Sequence, residues 1–159
     1  INDQRKEKAF KELQEKVSNL CYQLENDYLR KHGGVLYSNI RETMERLKAT
    51  YHLYIVSNCQ SGYIEAFLDY YHFHDLIEDF ACYGDNDKPK GVNIALLYER
   101  NGLDDAVYVG DIQGDYDESM KAGVKFIHAA YGFGTIREKV PEIHKFEDLV
   151  EAADKVFEG

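Results

Sequence analysis

The 159 residues carry a net charge of −10, with 44% hydrophobic and 30% charged side chains, a composition that suits one soluble globular domain with a real core. No apolar run is long enough to span a bilayer, no signal-peptide pattern opens the sequence, and no Lys/Arg cluster offsets the acidity. A cytoplasmic location is therefore expected, and membrane and nucleic-acid partners are not. Cys21, Cys59 and Cys82 are odd in number and belong to no CxxC pair, which argues against a disulfide framework or a structural zinc site.

Asn2 or Asp3 can cap a first helix in which Phe10, Leu13, Val17, Leu20 and Leu24 recur three and four residues apart, closing near Gly33-Gly34. That spacing makes a narrow apolar seam, which needs a partner helix. Ser38 or Asn39 can cap a second helix bearing Ile40, Met44 and Leu47, which leads into an apolar strand from His52 to Val56 closed by Ser57-Asn58. A helix through Ile64, Phe67, Leu68 and Tyr71 follows, then a strand Phe80 to Tyr83, a polar loop Gly84 to Lys90 and a helix Val92 to Arg100. Next come the strand Ala106 to Val109, a helix to Ala122, the strand Lys125 to Ala130, the loop Tyr131-Gly132-Phe133-Gly134 and a closing helix around Leu149, Val150, Val156 and Phe157. Strands alternating with helices imply an α/β fold, a doubly wound parallel sheet with right-handed crossovers.

The chemistry concentrates where strands end. Asp111 follows the strand that closes in Gly110, and Asp115 follows across a turn loosened by Gly114. In open α/β sheets ligands bind at the carboxyl ends of strands, and two converging carboxylates suit a hard cation such as Mg2+. The same residues also suit a plainer role, with Asp115 capping its helix and Asp111 shaping the turn. Ser57 and Asn58 can present a hydroxyl, an amide and backbone N–H groups to an anion, or can cap a helix. Lys90, nearest the start of the helix after Pro89, is preferred over Lys88 as the cation that balances a phosphate. Asp85-Asn86-Asp87 lacks the ligand and glycine positions of a calcium loop, and His72 and His74 lack a third metal ligand.

Ser57-Asn58, Lys90 and Gly110-Asp111 with Asp115, in that order, resemble the haloacid dehalogenase superfamily, and most of all its phosphoglycolate-phosphatase-like branch. The likeness covers roughly residues 34 to 158. It implies a Rossmannoid core (34–159) preceded by the C-terminal part of a helical cap (1–33). It also implies hydrolysis of a small phosphomonoester through an aspartyl-phosphate with Mg2+. In that scheme Ser57 and Asn58 hold the phosphate, Lys90 balances charge, Asp111 binds Mg2+ and Asp115 supports the metal site. The family nucleophile lies in an Asp-x-Asp directly after the first strand, and no apolar strand of this sequence leads directly into that motif. The sequence therefore reads as a fragment or a shortened gene product that begins inside the cap and lacks the central strand of the sheet. Low activity of the chain alone follows, as does a missing strand between those ending at Ser57 and Gly110, whose inner edges must then pair directly, take another chain between them or leave the protein poorly folded. The first helix is expected to pair with a second copy. The alternative is a non-catalytic module that keeps the phosphate and metal pocket; a receiver-type phosphoacceptor fits less well, for want of acidic residues at a first strand.

Overall fold

The structure is a computed structural model that describes residues 2–158. It begins with one long helix, α1 (Asn2–His32), followed by α2 (Ile40–Lys48), β1 (Tyr54–Ser57), α3 (Tyr63–Tyr71) and β2 (Asp79–Cys82). A single turn, α4 (Tyr83–Asn86), precedes α5 (Lys90–Arg100), β3 (Val107–Gly110), α6 (Gln113–Ala122), β4 (Lys125–Ala129) and β5 (Glu142–Ile143). A 3-10 turn at Phe146–Asp148 leads into α7 (Leu149–Glu158).

α1 is built from strong helix formers and braced by the i,i+4 pairs Lys11–Glu7 and Lys8–Glu12, at 3.3 and 3.9 Å. It stops where Gly33 turns to φ +63°, a left-handed conformation that glycine adopts without strain, and the Gly33 N–H returns to the Leu29 carbonyl. Every residue from Asp3 to Glu25 is exposed, including the seam, in which Leu24 is 60% exposed. Only the C-terminal end of α1 docks, with Arg30 Nε on Asp69 Oδ2 at 2.9 Å and Asn26 Nδ2 on the Ser61 carbonyl at 2.8 Å.

The strands do not form one sheet. β1 pairs in parallel with β2 alone, whereas β3, β4 and β5 make a second parallel sheet in that order. Each sheet has its own core. Met44, Ile64, Leu68, Phe73, Leu76 and Cys82 pack beneath the first, and Leu47, Ile127, Ile143, Leu149 and Ala153 beneath the second. α2 straddles them, giving Met44 to one core and Leu47 to the other. β1 and β3, each with a single strand neighbour, face each other across an apolar cavity of about 580 Å3. The strand between them is thus absent, and the two lips do not pair directly, one of the alternatives the sequence left open.

Several boundaries differ from the sequence reading. β1 starts at Tyr54 because Leu53 spends its carbonyl on the Glu78 N–H, ahead of the ladder that opens with Tyr54 opposite Asp79. Asn39 sits at the start of α2 in a left-handed conformation and sends its side-chain amide to Glu147 Oε2 instead of capping. α5 begins at Lys90 itself, immediately after Pro89, whose fixed φ suits a helix start. Among the described residues no helix is long and apolar enough to cross a membrane.

Phe73 is 1% exposed, meets Phe67 edge to face and stacks on Tyr71 in the β1–β2 half. Phe73→Ala is expected to cost about 3–5 kcal/mol in urea unfolding. A loss below about 1 kcal/mol would show that this half lacks a packed core.

Candidate functional site

The carboxyl ends of β1 and β3 and the starts of α5 and α6 meet at one rim. Lys90, first residue of α5, forms an ion pair with Asp115 Oδ1 on the first turn of α6. The pair is secluded: the Lys90 side chain is 12% exposed and Asp115 is 5% exposed. A second bond locks the same approach, because the Gly91 N–H donates to Glu118 Oε2 at 2.8 Å. Gly91 is required there, since a Cβ would come within 2.8 Å of the Glu118 carbonyl oxygen.

Asp115 does not cap α6. Its other oxygen, Oδ2, accepts the Asp111 N–H at 3.1 Å, so the one carboxylate fixes both Lys90 and the backbone of Asp111. Gly110 lets it come that close, since a Cβ there would lie 2.6 Å from Asp115 Oδ2. Asp111 Oδ2 in turn accepts the Phe133 N–H at 2.7 Å, and a side chain at Gly132 would collide with the same carboxyl. The loop Tyr131 to Gly134 is therefore a wall of the site. Phe133 itself is 96% exposed, which shows that its backbone, not its ring, serves the aspartate. Gln113 anchors the loop further along by accepting the Arg137 N–H at 2.9 Å.

Tyr108, one of the residues that sequence reasoning passed over, connects the two strand ends. Its hydroxyl donates to the Val56 carbonyl at 3.1 Å, and the Lys90 ammonium lies 5.5 Å from its ring centre. Ser57 follows Val56 at the end of β1, and Asn58 is exposed beyond it. Neither caps a helix, since α3 starts only at Tyr63, after Gly62. The Ser57 Oγ accepts the Cys59 N–H at 3.2 Å, which leaves its own hydrogen to donate. The structure thus joins Lys90, Asp111 and Asp115 directly, and links the end of β1 that carries Ser57 and Asn58 to Lys90 through the Val56 carbonyl and Tyr108. Lys88 is exposed and takes no part.

Burial by itself would lower the Lys90 pKa, but the charge and hydrogen bonding of Tyr108 and Asp115 outweigh it and raise it. The Tyr108 phenol is pushed up, first by burial and then by Asp115 and Asp111 against the opposing pull of Lys90. The ammonium and the neutral phenol are thus the stable forms at neutral pH. Stability from the raised Lys90 value is fully present below about pH 10.4, the ordinary lysine value, and is lost as pH rises through the folded value.

Among the described residues no group of three or more His, Cys, Asp or Glu side chains gathers as a metal site. Asp111 Oδ1 makes no hydrogen bond, whereas both Asp115 oxygens are engaged. One free carboxylate oxygen at a strand end fits Mg2+, which is commonly held by one or two carboxylates together with substrate oxygens and water.

A family model described as haloacid dehalogenase-like hydrolase matches residues 2–129. The chain belongs to the haloacid dehalogenase-like hydrolases. Among solved structures, a haloacid dehalogenase-like family hydrolase from Streptococcus pneumoniae superposes with a TM-score of 0.68 at 17% identity, over 81% of this chain and 66% of that one. A subfamily IA hydrolase of the superfamily from Geobacter sulfurreducens PCA gives 0.64 at 16%, over 74% and 55%. A family hydrolase from Xanthomonas campestris gives 0.67 at 13%, over 82% and 58%. At these identities the likeness concerns the fold, and the chain spans between about half and two thirds of the length of these hydrolases. No curated protein matches the chain.

Asp115→Asn removes the counter-charge of Lys90 while keeping the shape of the site. We expect a loss of about 3–5 kcal/mol in stability and a fall in the Lys90 pKa, because burial is then opposed by Tyr108 alone. NMR of the lysine ε-carbons across a pH series reads the second effect. An unmoved Lys90 titration would show that the pair does not set its charge.

Proposed function

We propose that this chain carries the phosphate- and metal-holding part of a haloacid dehalogenase-like phosphatase that acts on a small phosphomonoester. The observation that carries this reading is the triad of Lys90, Asp115 and Asp111 at the strand ends, with Asp111 steadied by the Phe133 N–H and keeping one oxygen free. Ser57 donates its hydroxyl hydrogen to a phosphate oxygen, and Asn58 lies one residue further out on the same lip. Lys90, held charged by its neighbours, offsets the negative charge that gathers on the phosphoryl oxygens. Asp111 Oδ1 would hold Mg2+, and Asp115 keeps Asp111 and Lys90 in place. Bound there, the ion supplies Lewis-acid polarisation of a phosphoryl oxygen.

The step missing from this set is nucleophilic attack, because no apolar strand of the sequence runs directly into Asp-x-Asp. Asp85-Asn86-Asp87 follows β2, with Asp85 and Asn86 in the α4 turn and Asp87 in a left-handed conformation at its end, where the Asn86 side chain is spent on Asn93 and the Lys88 N–H. The chain alone is therefore expected to hydrolyse an aryl phosphate with Mg2+ at least about 10⁴-fold more slowly than a complete enzyme. Turnover at ordinary enzyme rates would overturn that expectation. Binding is the positive test. The 31P resonance of inorganic phosphate should broaden on adding the protein, and Ser57→Ala should weaken that binding by at least about tenfold, the lower bound for a hydrogen bond to a charged group. Unchanged binding would remove Ser57 from the site.

The exposed α1 seam is proposed to pair with a second copy, since a strict three-and-four spacing makes a coiled-coil contact rather than a broad core-facing stripe. Sedimentation should show a dimer that Leu20→Glu dissociates. A monomer at all concentrations would count against it.

A further inference from the structure

Residues 58–62 connect the end of β1 to the start of α3 and continue directly from Ser57. On the core side this loop is fixed by the turn α4. The Gly84 N–H donates to the Cys59 carbonyl at 3.0 Å, and a Cβ on Gly84 would collide with the Ser61 nitrogen, so the two segments meet backbone to backbone. Within the loop the Cys59 N–H donates to Ser57 Oγ at 3.2 Å, the bond that leaves the Ser57 hydrogen available to an anion.

On the outer side the loop is held by α1. Asn26 uses both ends of its amide there: Nδ2 donates to the Ser61 carbonyl at 2.8 Å, and Oδ1 accepts Gln60 Nε2 at 3.2 Å. Gln60 Nε2 also reaches Glu25 Oε2 at 3.1 Å. Gly62 permits the approach, because its φ of +84° is left-handed and a Cβ there would stand 2.8 Å from Asn26 Nδ2. On local grounds asparagine suits a helix interior poorly, since its side chain competes for backbone bonds. Position 26 nevertheless lies well inside α1, and the bonds of its amide run to the loop rather than along the helix. Arg30 fastens the same helix to Asp69 on α3, away from the loop. The connection from Asn26 to Ser57 is short: the amide to Gln60 and Ser61, the backbone to Cys59, and the Cys59 N–H to the hydroxyl oxygen.

We infer that Asn26 and Gln60 are positioning residues for phosphate binding: together they hold residues 58–62 in the form in which the Cys59 N–H occupies the Ser57 oxygen and the hydroxyl hydrogen is left for the anion. The inference rests on the reading of Ser57 as a phosphate donor. Neither side chain needs to touch the phosphate. α1 is thereby more than an appendage, because a tilt that carries Asn26 off Ser61 frees the loop and weakens the grip of Ser57. By reciprocity, phosphate held on Ser57 tightens the end of α1 against the loop.

The test uses the whole chain with Asn26→Ala, Gln60→Ala, Arg30→Ala, Ser57→Ala and the double variant Asn26→Ala/Ser57→Ala. Amide hydrogen exchange at Cys59 is measured without phosphate, and inorganic phosphate is titrated with its 31P line width as the readout. Cys59 exchange is expected to rise roughly tenfold in Asn26→Ala, and by a smaller factor in Gln60→Ala, which leaves α1 unaltered. The Phe73 amide, bonded to the Leu68 carbonyl, stays as protected as before. Phosphate affinity is expected to fall about fivefold in Asn26→Ala, but by at most about twofold, through Asn58, once Ser57 is already alanine. Arg30→Ala should leave both readouts at their wild-type values. Unchanged Cys59 exchange in both Asn26→Ala and Gln60→Ala overturns the proposal. So does a loss in Arg30→Ala as large as that in Asn26→Ala, which would make helix docking in general responsible. An equal loss on the Ser57→Ala background also overturns it, since the effect would not pass through the hydroxyl. If the wild-type chain binds no phosphate, the reading of Ser57 fails and this role fails with it, and the Cys59 exchange then tells that failure apart from the absence of the clasp.

Discussion

The ion pair between Lys90 and Asp115 holds the two halves of this protein in register. α5 packs on β1 and β2, and α6 packs on β3 and β4, so the pair at their first turns joins one sheet to the other. Such a secluded pair gains little over an apolar contact of the same shape, yet removing one partner strands a buried charge. The arrangement is thus directional: it costs little to keep and much to break. The Gly91 N–H on Glu118 repeats the connection one residue along. At the far end of α5, Arg100 grips Asp79 with two guanidinium nitrogens, Nη2 at 2.7 Å and Nε at 2.8 Å, and Asn101 adds a bond to the same carboxylate. Burial would raise the Asp79 pKa, but the bonds from Asn101 and Arg100 outweigh it and hold the acid below its ordinary value. α5 is therefore pinned at both ends over a sheet that is open in its middle.

That open middle divides the hydrophobic interior. A sequence of this length normally closes around one core, whereas here two smaller cores touch through α2, Leu53 and Phe146. Each half has its own parallel ladder, and each ladder ends in an edge that would invite association if it lay on the surface. The edges are instead walled by helices on both faces, with Met44, Leu47 and Leu149 from α2 and α7 on one side and Ile94 and Leu97 from α5 on the other. Tyr108 provides the only hydrogen bond from one lip to the other among the described residues, and it uses a side chain where backbone would normally serve.

How far the sequence could be read follows from the kind of signal each part carries. The helices α1, α3 and α7 were legible because their apolar residues keep helical spacing, and the grouping of Lys90, Asp111 and Asp115 because their order along the chain resembles that of a known family. The gap between β1 and β3 was legible only through the family likeness. β5 was not, since two residues have no periodicity, and neither was α4, a single turn inside a polar loop. The capping roles considered for Ser57 and Asp115 fit their residue types and were displaced by tertiary partners: the Cys59 N–H for one, Lys90 and the Asp111 N–H for the other. The bond from the Phe133 loop to Asp111 was not legible for a more general reason. Its contribution is a backbone N–H, which any residue except proline supplies, so the sequence marks it only through the neighbouring glycines. Tyr108 was hidden likewise, inside a run that reads as an ordinary buried strand.

The division of the sheet also divides the rim. Ser57 and Asn58 stand on the lip formed by β1, and Asp111 with its supporting loop stands on the lip formed by β3. Lys90 reaches over from α5, the helix that covers the cavity between them on one face, and Tyr108 spans the opening below. A phosphate held by Ser57 and Lys90 would therefore sit over the mouth of that cavity, with the free oxygen of Asp111 on its opposite side.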